Sequence, residues 1–365
     1  MKKSNKKMMV VEKPSTTVGL DIGDRLSHYC MLNAEGEVME EGRIRTEEGA
    51  LRKQFEGEVR MRIAMECGTH SPWISRLLER FGHEVIVANA RKLKAITTSE
   101  SKNDRNDAEK LARFAHWDLR LLSPLRHRSV ERQQDLTLIY ARKTLVRART
   151  MIINSARGLV KSAGGRLPNC SSKAFEKLVK PALPPALIEC VSPMLEQITA
   201  LNLQIARMDK QIEAFAGRYS EIPRLRTAHG VGPLVAATYV LTLDQPHAIT
   251  NSRQVGAYLG LRPRQCQSGD HDPQRRITKT GNPYLRVLLV QSAHHVLGRF
   301  GPDSALRRWG LKLSATGGKR GKKRAIVAVA RKLAVILHRM WRTGESFQPF
   351  PIAPIHTSLQ PVAST

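Results

Sequence analysis

The strongest constraint on this fold is a change of apolar period partway along the chain. From about residue 17 to residue 120, strand-period and helix-period segments alternate, and from about Arg126 the pattern is helical. TVGLDIG, SHYCMLN and EVMEEGRIR read as three strands joined by short turns such as Ala34-Glu35-Gly36. A polar helix then leads to a fourth strand, RIAMECG, followed by the helix PWISRLLERFG with Pro72 near its start and by the strand HEVIVANA. A last helix is expected from about Asn106 to Trp117. Three meander strands followed by βα units imply a mixed sheet with helices on both faces.

That order, βββαβαβα, is the ribonuclease H-like one. The segment after it is all helix. Leu138, Leu145, Ile152 and Leu159 fall seven apart, with Ile139, Val146, Ile153 and Val160 beside them. After a Gly, Ser and Pro-rich break from 164 to 185, which offers no motif, Val191, Met194, Ile198, Leu201, Ile205, Met208, Ile212 and Phe215 form a heptad seam. Two long helices with matching seams should pair antiparallel as a coiled coil, within the chain or against a second subunit. A hairpin with no oligomeric role is an equal alternative. The expected organisation is therefore a disordered basic arm (1–15), an α/β domain (16–122), a coiled-coil helical hairpin (123–220), a small, mostly helical domain (221–344) and a disordered tail (345–365) containing Pro349, Pro351, Pro354 and Pro361.

Charge narrows the partners. The 365 residues carry 60 Lys and Arg against 32 Asp and Glu, a formal net charge of +28 that attracts polyanions. Nucleic acid is the expected partner. No run of about 20 apolar residues and no lipidation motif argues for a membrane, and the apolar run after the basic N-terminus ends at Met8, Met9, Val10 and Val11, too short for a signal peptide. A cytoplasmic, nucleoid-associated protein is expected. Cys30, Cys67, Cys170, Cys190 and Cys266 are odd in number and widely spaced, so buried thiols are expected rather than disulfides or a zinc site.

Four acids stand out. Asp21 lies between Val18, Leu20 and Ile22 in a strand core, where a carboxylate needs a partner. Glu66 repeats the anomaly at the end of the fourth strand, which can lie beside the first. Asp104 and Asp107 in KNDRND share a helix face if the helix begins there. Clustered carboxylates call for hard cations, and two Mg²⁺ ions about 4 Å apart would suit in-line phosphoryl transfer. Singly, each acid has an ordinary reading, as a helix cap or as the partner of an arginine. An actin-like ATPase would also place an acid as in Asp21-Ile22-Gly23, but it needs a second, later Asp-x-Gly loop that this chain lacks.

HGVGPLVAA fits a helix-hairpin-helix turn, in which Gly230 and Gly232 permit a tight bend and the following helix N-terminus can hold a phosphate; an ordinary interhelical turn fits it as well. Ser268 sits in GLRPRQCQSGDHDPQRRITKTGNPYLR among Arg262, Arg264, Arg275, Arg276, Lys279 and Arg286. On physical grounds alone a turn-forming serine outweighs a nucleophile there, since only His271 offers itself as a base. Lys319, Arg320, Lys322, Lys323 and Arg324 form a polyanion contact, and His294 and His295 read as helix residues without metal spacing.

Taken in order, VGLDIG, AMECGTHSPW, SKNDRNDAE, HGVGPLVAA and GLRPRQCQSGD with RITKTGNPYLR resemble the DEDD-type transposases of bacterial insertion sequences, the IS one-ten family of bridge-RNA-guided recombinases. The likeness spans about residues 17 to 340. It implies a RuvC-like domain joined through a coiled coil to a transposase domain. It also implies that Asp21, Glu66, Asp104 and Asp107 hold the metal, that Ser268 attacks DNA and becomes covalently joined to it, and that a guide RNA pairs with donor and target DNA. A homo-oligomer, dimer or tetramer, would bring domains of both types together. Two competing functions use the same residues differently: a RuvC-like Holliday-junction nuclease would hydrolyse DNA with water, and a nucleic-acid-binding protein with relic acids would do no chemistry.

Overall fold

The computed structural model describes residues 14–90, 93, 103–265, 275–316 and 318–351. The chain divides into two compact units, with the break between Arg128 and Ser129.

The first unit is built on five strands, β1 (Thr16–Asp21), β2 (Leu26–Leu32), β3 (Val38–Arg45), β4 (Met61–Glu66) and β5 (Glu84–Ala88), in the sheet order β3-β2-β1-β4-β5. Helix α1 (Glu48–Phe55) precedes β4, α2 (Ser71–Arg80) links β4 to β5, and α3 (Asp104–Trp117) follows. β1 runs antiparallel to β2 and parallel to β4. It is the central strand and is covered on both faces. Val18, Leu20, Ile63 and Met65 pack with Leu51 and Phe55 of α1 and with Ile74, Leu77 and Leu78 of α2. The other face receives α3, whose Ala108 and Ala112 cluster with Cys30 and Leu32, and whose Leu111 and Ala115 cluster with Ala64 and Ala88.

Small residues let this helix come close. A Cβ added to Gly19 of β1 would lie 2.0 Å from the Ala108 carbonyl oxygen and 2.4 Å from the Ala112 nitrogen. Helix α3 begins at Asp104, earlier than its apolar pattern suggests, because the Asn103 side chain accepts from the Arg105 amide and starts the helix there. Not every thiol is buried as expected. Cys30 is buried and Cys170 half-buried, but Cys67, just past the end of β4, and Cys190, in the first turn of its helix, are exposed; Cys266 lies outside the described residues.

In the second unit, α4 (Val130–Ser162) and α5 (Ile188–Ala216) pair antiparallel within the chain. Ile139 shares a core with Ile212 and Phe215, Arg142 pairs with Asp209, Arg149 Nη1 donates to Asn202 Oδ1 at 2.7 Å, and Val160 packs with Val191. Val191, Ile198, Ile205 and Ile212 are all buried. On α4 Ile139 and Val160 are buried and Leu159 is 44% exposed, while Leu138, Ile152 and Ile153 are half-buried against the cores. The stretch from 164 to 187 folds over the hairpin end, burying Leu167, Phe175, Val179 and Leu183 there.

Beyond the hairpin, α6 (Pro233–Leu243), α7 (Pro283–Leu297), α8 (Ala305–Ala315) and α9 (Gly318–Thr343) share one large core with the hairpin's open end. Tyr239 of α6, fully buried, donates to the Ala334 carbonyl at 2.6 Å. The Pro-rich segment expected to leave the fold at 345 stays on it at first. The Phe347 amide donates to Thr227 Oγ1, its ring meets His229 at 5.0 Å, and the Pro349 carbonyl accepts from the Ala305 amide. Among the described residues no helix is long and apolar enough to cross a membrane.

A candidate acid site and a candidate nucleic-acid interface

Asp21 and Glu66 end adjacent parallel strands. The register pairs Leu20 with Met65, so the two acids are the next residues along β1 and β4, at the carboxyl edge of the sheet where α/β folds place their ligands. Asp104 and Asp107 join them from the first turn of α3, held down by the close contact at Gly19. Neither aspartate caps that helix, since Asn103 does. Asp104 is largely exposed, with Oδ2 3.7 Å from His28 Nδ1, while Asp107 is buried, with Oδ1 3.7 Å from Lys110 Nζ.

The electrostatics show the convergence. Burial, and then the charges of Asp104, Asp107 and Glu66, push the Asp21 carboxyl up to about 6, against which His28 acts weakly. Asp107 Oδ1 and Lys110 Nζ are both buried without a hydrogen bond, so their ion pair compensates the acid only in part. The donor set is therefore hard oxygen with a deficit of positive charge, which suits a magnesium ion. Among the described residues no three His, Cys, Asp or Glu side chains stand close enough to hold an ion as placed. The four carboxylates fit the ion in chemistry and would have to draw together to bind it.

His28 and Lys110 carry no signal in the sequence that marks them for this site. His28 reaches it because the antiparallel register sets it opposite Asp21, and that register depends on the length of the β1–β2 turn. The turn itself is anchored. Gly23 accepts from Thr46 Oγ1 at 3.0 Å, and Asp24 Oδ1 lies 3.3 Å from His70 Nε2, while His70 Nδ1 accepts from the Trp73 indole.

The basic elements lie in the second unit. Gly230 has φ +78°, and a Cβ there would meet the Ser292 carbonyl at 2.9 Å. Gly232 then starts α6 with no side-chain cap, and since Pro233 has no amide hydrogen, the N–H groups without a partner inside the helix are those of Leu234 and Val235. Beside this turn His229 Nδ1 is buried without a partner. Ser268 and His271 lie outside the described residues. The segments flanking them are tied together: Arg264 N donates to the Arg276 carbonyl at 3.0 Å and Thr278 N to the Arg262 carbonyl at 2.9 Å. Arg262, Arg264, Arg276 and Lys279 lie on the paired segments of this ribbon, Lys279 N donating to the Gly260 carbonyl at 3.1 Å, and Arg275 adjoins them. Arg320, Lys322, Lys323 and Arg324 are exposed on the first turns of α9, which also carry Lys319; His294 and His295 are residues of α7.

A five-stranded mixed sheet with acids at its strand ends, followed by mostly helical regions, fits a RuvC-like DEDD transposase. Comparison with known proteins agrees. Residues 18–164 match the DEDD transposase model of IS110 elements, and residues 222–308 match the model described as "Transposase IS116/IS110/IS902 family". A Pseudomonas aeruginosa protein described as "Probable family 20 transposase" is 30% identical over 79% of this chain and 86% of its own length. The transposase for insertion sequence element IS1111A of Coxiella burnetii is 27% identical over 91% of both chains. The chain belongs to the IS110/IS116 family of insertion-sequence transposases, which are enzymes that cut and join DNA.

Proposed function

We propose that this transposase exchanges DNA strands by transesterification, with Ser268 as nucleophile and Asp21, Glu66, Asp104 and Asp107 as its metal ligands. The observation that carries the reading is the Asp21 carboxyl, raised to about 6 at a strand edge among three other acids. DEDD transposases generally use a divalent metal. Mg²⁺, as two ions in the fullest form of the reading, would supply there the positive charge that offsets a phosphodiester in transfer. The Ser268 hydroxyl gives up its proton as its oxygen bonds to phosphorus and the bond from phosphorus to a sugar oxygen breaks. The departing sugar oxygen takes up a proton, so that none is consumed overall. The covalent ester conserves the bond for rejoining without ATP.

The remaining side chains bind and orient. Arg262, Arg264, Arg275, Arg276 and Lys279 flank the serine segment and would hold the phosphodiester it attacks, while the Gly230–Gly232 turn offers backbone amides to a neighbouring phosphate in helix-hairpin-helix fashion. On this reading residues 16–122 carry the acids, 123–220 form a coiled coil and 221–344 carry the nucleophile. A homo-oligomer, dimer or tetramer, brings acids and serine together, and a guide RNA pairs with donor and target DNA.

The test is to trap the reaction on labelled element DNA with Mg²⁺ and the element's RNA, denature, digest with protease and map the adduct. The expected adduct is on Ser268 and is absent in Ser268→Ala. Cleavage by that variant with no protein adduct would overturn the mechanism in favour of a junction nuclease using water, and an adduct elsewhere would take the nucleophile away from Ser268.

A further inference from the structure

We propose that Phe300 is a stacking platform for an unpaired nucleobase, set beside the depression formed by the Gly230–Gly232 turn. Phe300 stands 76% exposed in the connection between α7 and α8, with the Arg299 guanidinium over one face of its ring, 4.6 Å from the centroid. The connection is not slack. Arg307 Nη1 donates to the carbonyls of Val296 and Gly298, Gly301 N donates to the Gly298 carbonyl at 3.1 Å, and a Cβ on Gly301 would lie 2.3 Å from the Val296 carbonyl oxygen. A tightly wound turn thus holds a large apolar ring in water. Burial in this chain's own core does not explain it.

Pro302, two residues on, forms part of the wall of a shallow depression with Arg226, His229, Gly230, Gly232 and His295. That depression offers the uncapped start of α6 to a phosphate, its Arg226 being already paired with Glu213 at 2.6 Å, and the exposed guanidinium at the ring itself is that of Arg299. The only acid in the connection, Asp303, is held by Arg308 in a two-pronged pair, so its charge is already answered. A partner here must therefore be anionic and carry a flat apolar face, which is the chemistry of a nucleotide. A second copy of this chain, itself at +28, would bring like charge to the surface. Bases inside a duplex have both faces covered, so the ring suits a base that is unpaired.

The proposal rests on the transposase reading only for the nature of the polymer, and does not depend on Ser268 or on the acids. Full-length protein is titrated with DNA and RNA hairpins that carry 2-aminopurine at one unpaired position, and with the same hairpins fully paired. Phe300→Ala is expected to weaken the bulged hairpin about 5- to 100-fold and to remove its fluorescence change, with paired hairpins unaffected. Phe300→Trp restores both. Whichever hairpin, DNA or RNA, shows the Phe300-dependent change identifies the strand. Equal weakening of bulged and paired hairpins, or no weakening of either, would overturn the proposal. So would loss of self-association in Phe300→Ala with hairpin affinity unchanged, which would assign the ring to a contact between copies. None of these readings requires strand exchange, so they stand apart from the fate of the Ser268 mechanism.

Discussion

A carboxyl raised to about 6 is a liability to the metal-free protein, and the sign of that liability can be measured at Asp21. The native carboxyl binds its proton more tightly than the unfolded one, whose ordinary value is 3.8. The stability it confers is therefore complete below 3.8 and lost as pH rises through 6. Above that, native Asp21 is ionised among like charges. Asp21→Asn in EDTA at pH 7.5 should stabilise the fold by roughly 1 kcal/mol, once solvent screening discounts the full shift, and the gain should shrink as pH falls toward 4. Mg²⁺ should raise the Tm of the wild type more than that of Asp21→Asn. An equal Mg²⁺ response in the two proteins would remove Asp21 from the metal site.

Among the elements, the contact between β1 and α3 decides whether the acids can meet. Gly19→Ala would drive a methyl group into the Ala108 carbonyl and the Ala112 amide, both backbone, so the helix must move. The expected cost is about 1–3 kcal/mol in urea unfolding, with a weakened Mg²⁺-dependent rise in Tm. A variant with wild-type stability and metal response would show that α3 is free to shift. The sequence announced this site well in one respect and poorly in another. Asp21 and Glu66 were legible because acids in apolar strands are rare, and the chain order of the strands allowed β1 and β4 to be neighbours. The tightness of the α3 packing was not, since a glycine in a strand and two alanines in a helix reveal their fit only when the elements meet. His28 and Lys110 were hidden for the same reason, as partners chosen by register and packing. The hairpin shows the limit of period alone. Both apolar rows of α4 look equivalent in the sequence, and both pack in part: Ile139 and Val160 of one row are buried and Leu138 and Ile152 of the other are half-buried against the cores, while Leu159 faces water. Arg142 with Asp209 and Arg149 with Asn202 form polar rungs between the helices. Ser268 itself lies outside the described residues, so its role rests on resemblance.

For the whole molecule, a net charge of +28 makes affinity for nucleic acid a property of the surface, separable from the acid site. Neutralising Z phosphates of duplex DNA gives a log–log dependence of affinity on salt with a slope of roughly −0.9Z. The exposed Arg320, Lys322, Lys323 and Arg324 begin a helix whose first turn carries no acid, which leaves that end of α9 strongly positive. Replacing Lys322, Lys323 and Arg324 by Ala should flatten the slope by about 0.9 for each phosphate that the variant no longer neutralises, while leaving the Mg²⁺ response of the Tm unchanged. Asp21→Asn should do the reverse, leaving the slope intact and abolishing strand exchange. An unchanged slope in the basic-helix variant would place the main binding surface elsewhere, with the arginine ribbon at Arg262, Arg264, Arg275 and Arg276 the next to be tested. A fall in both slope and metal response in either variant would mean that binding and metal site are one structure, with no division of labour between the basic surface and the acids.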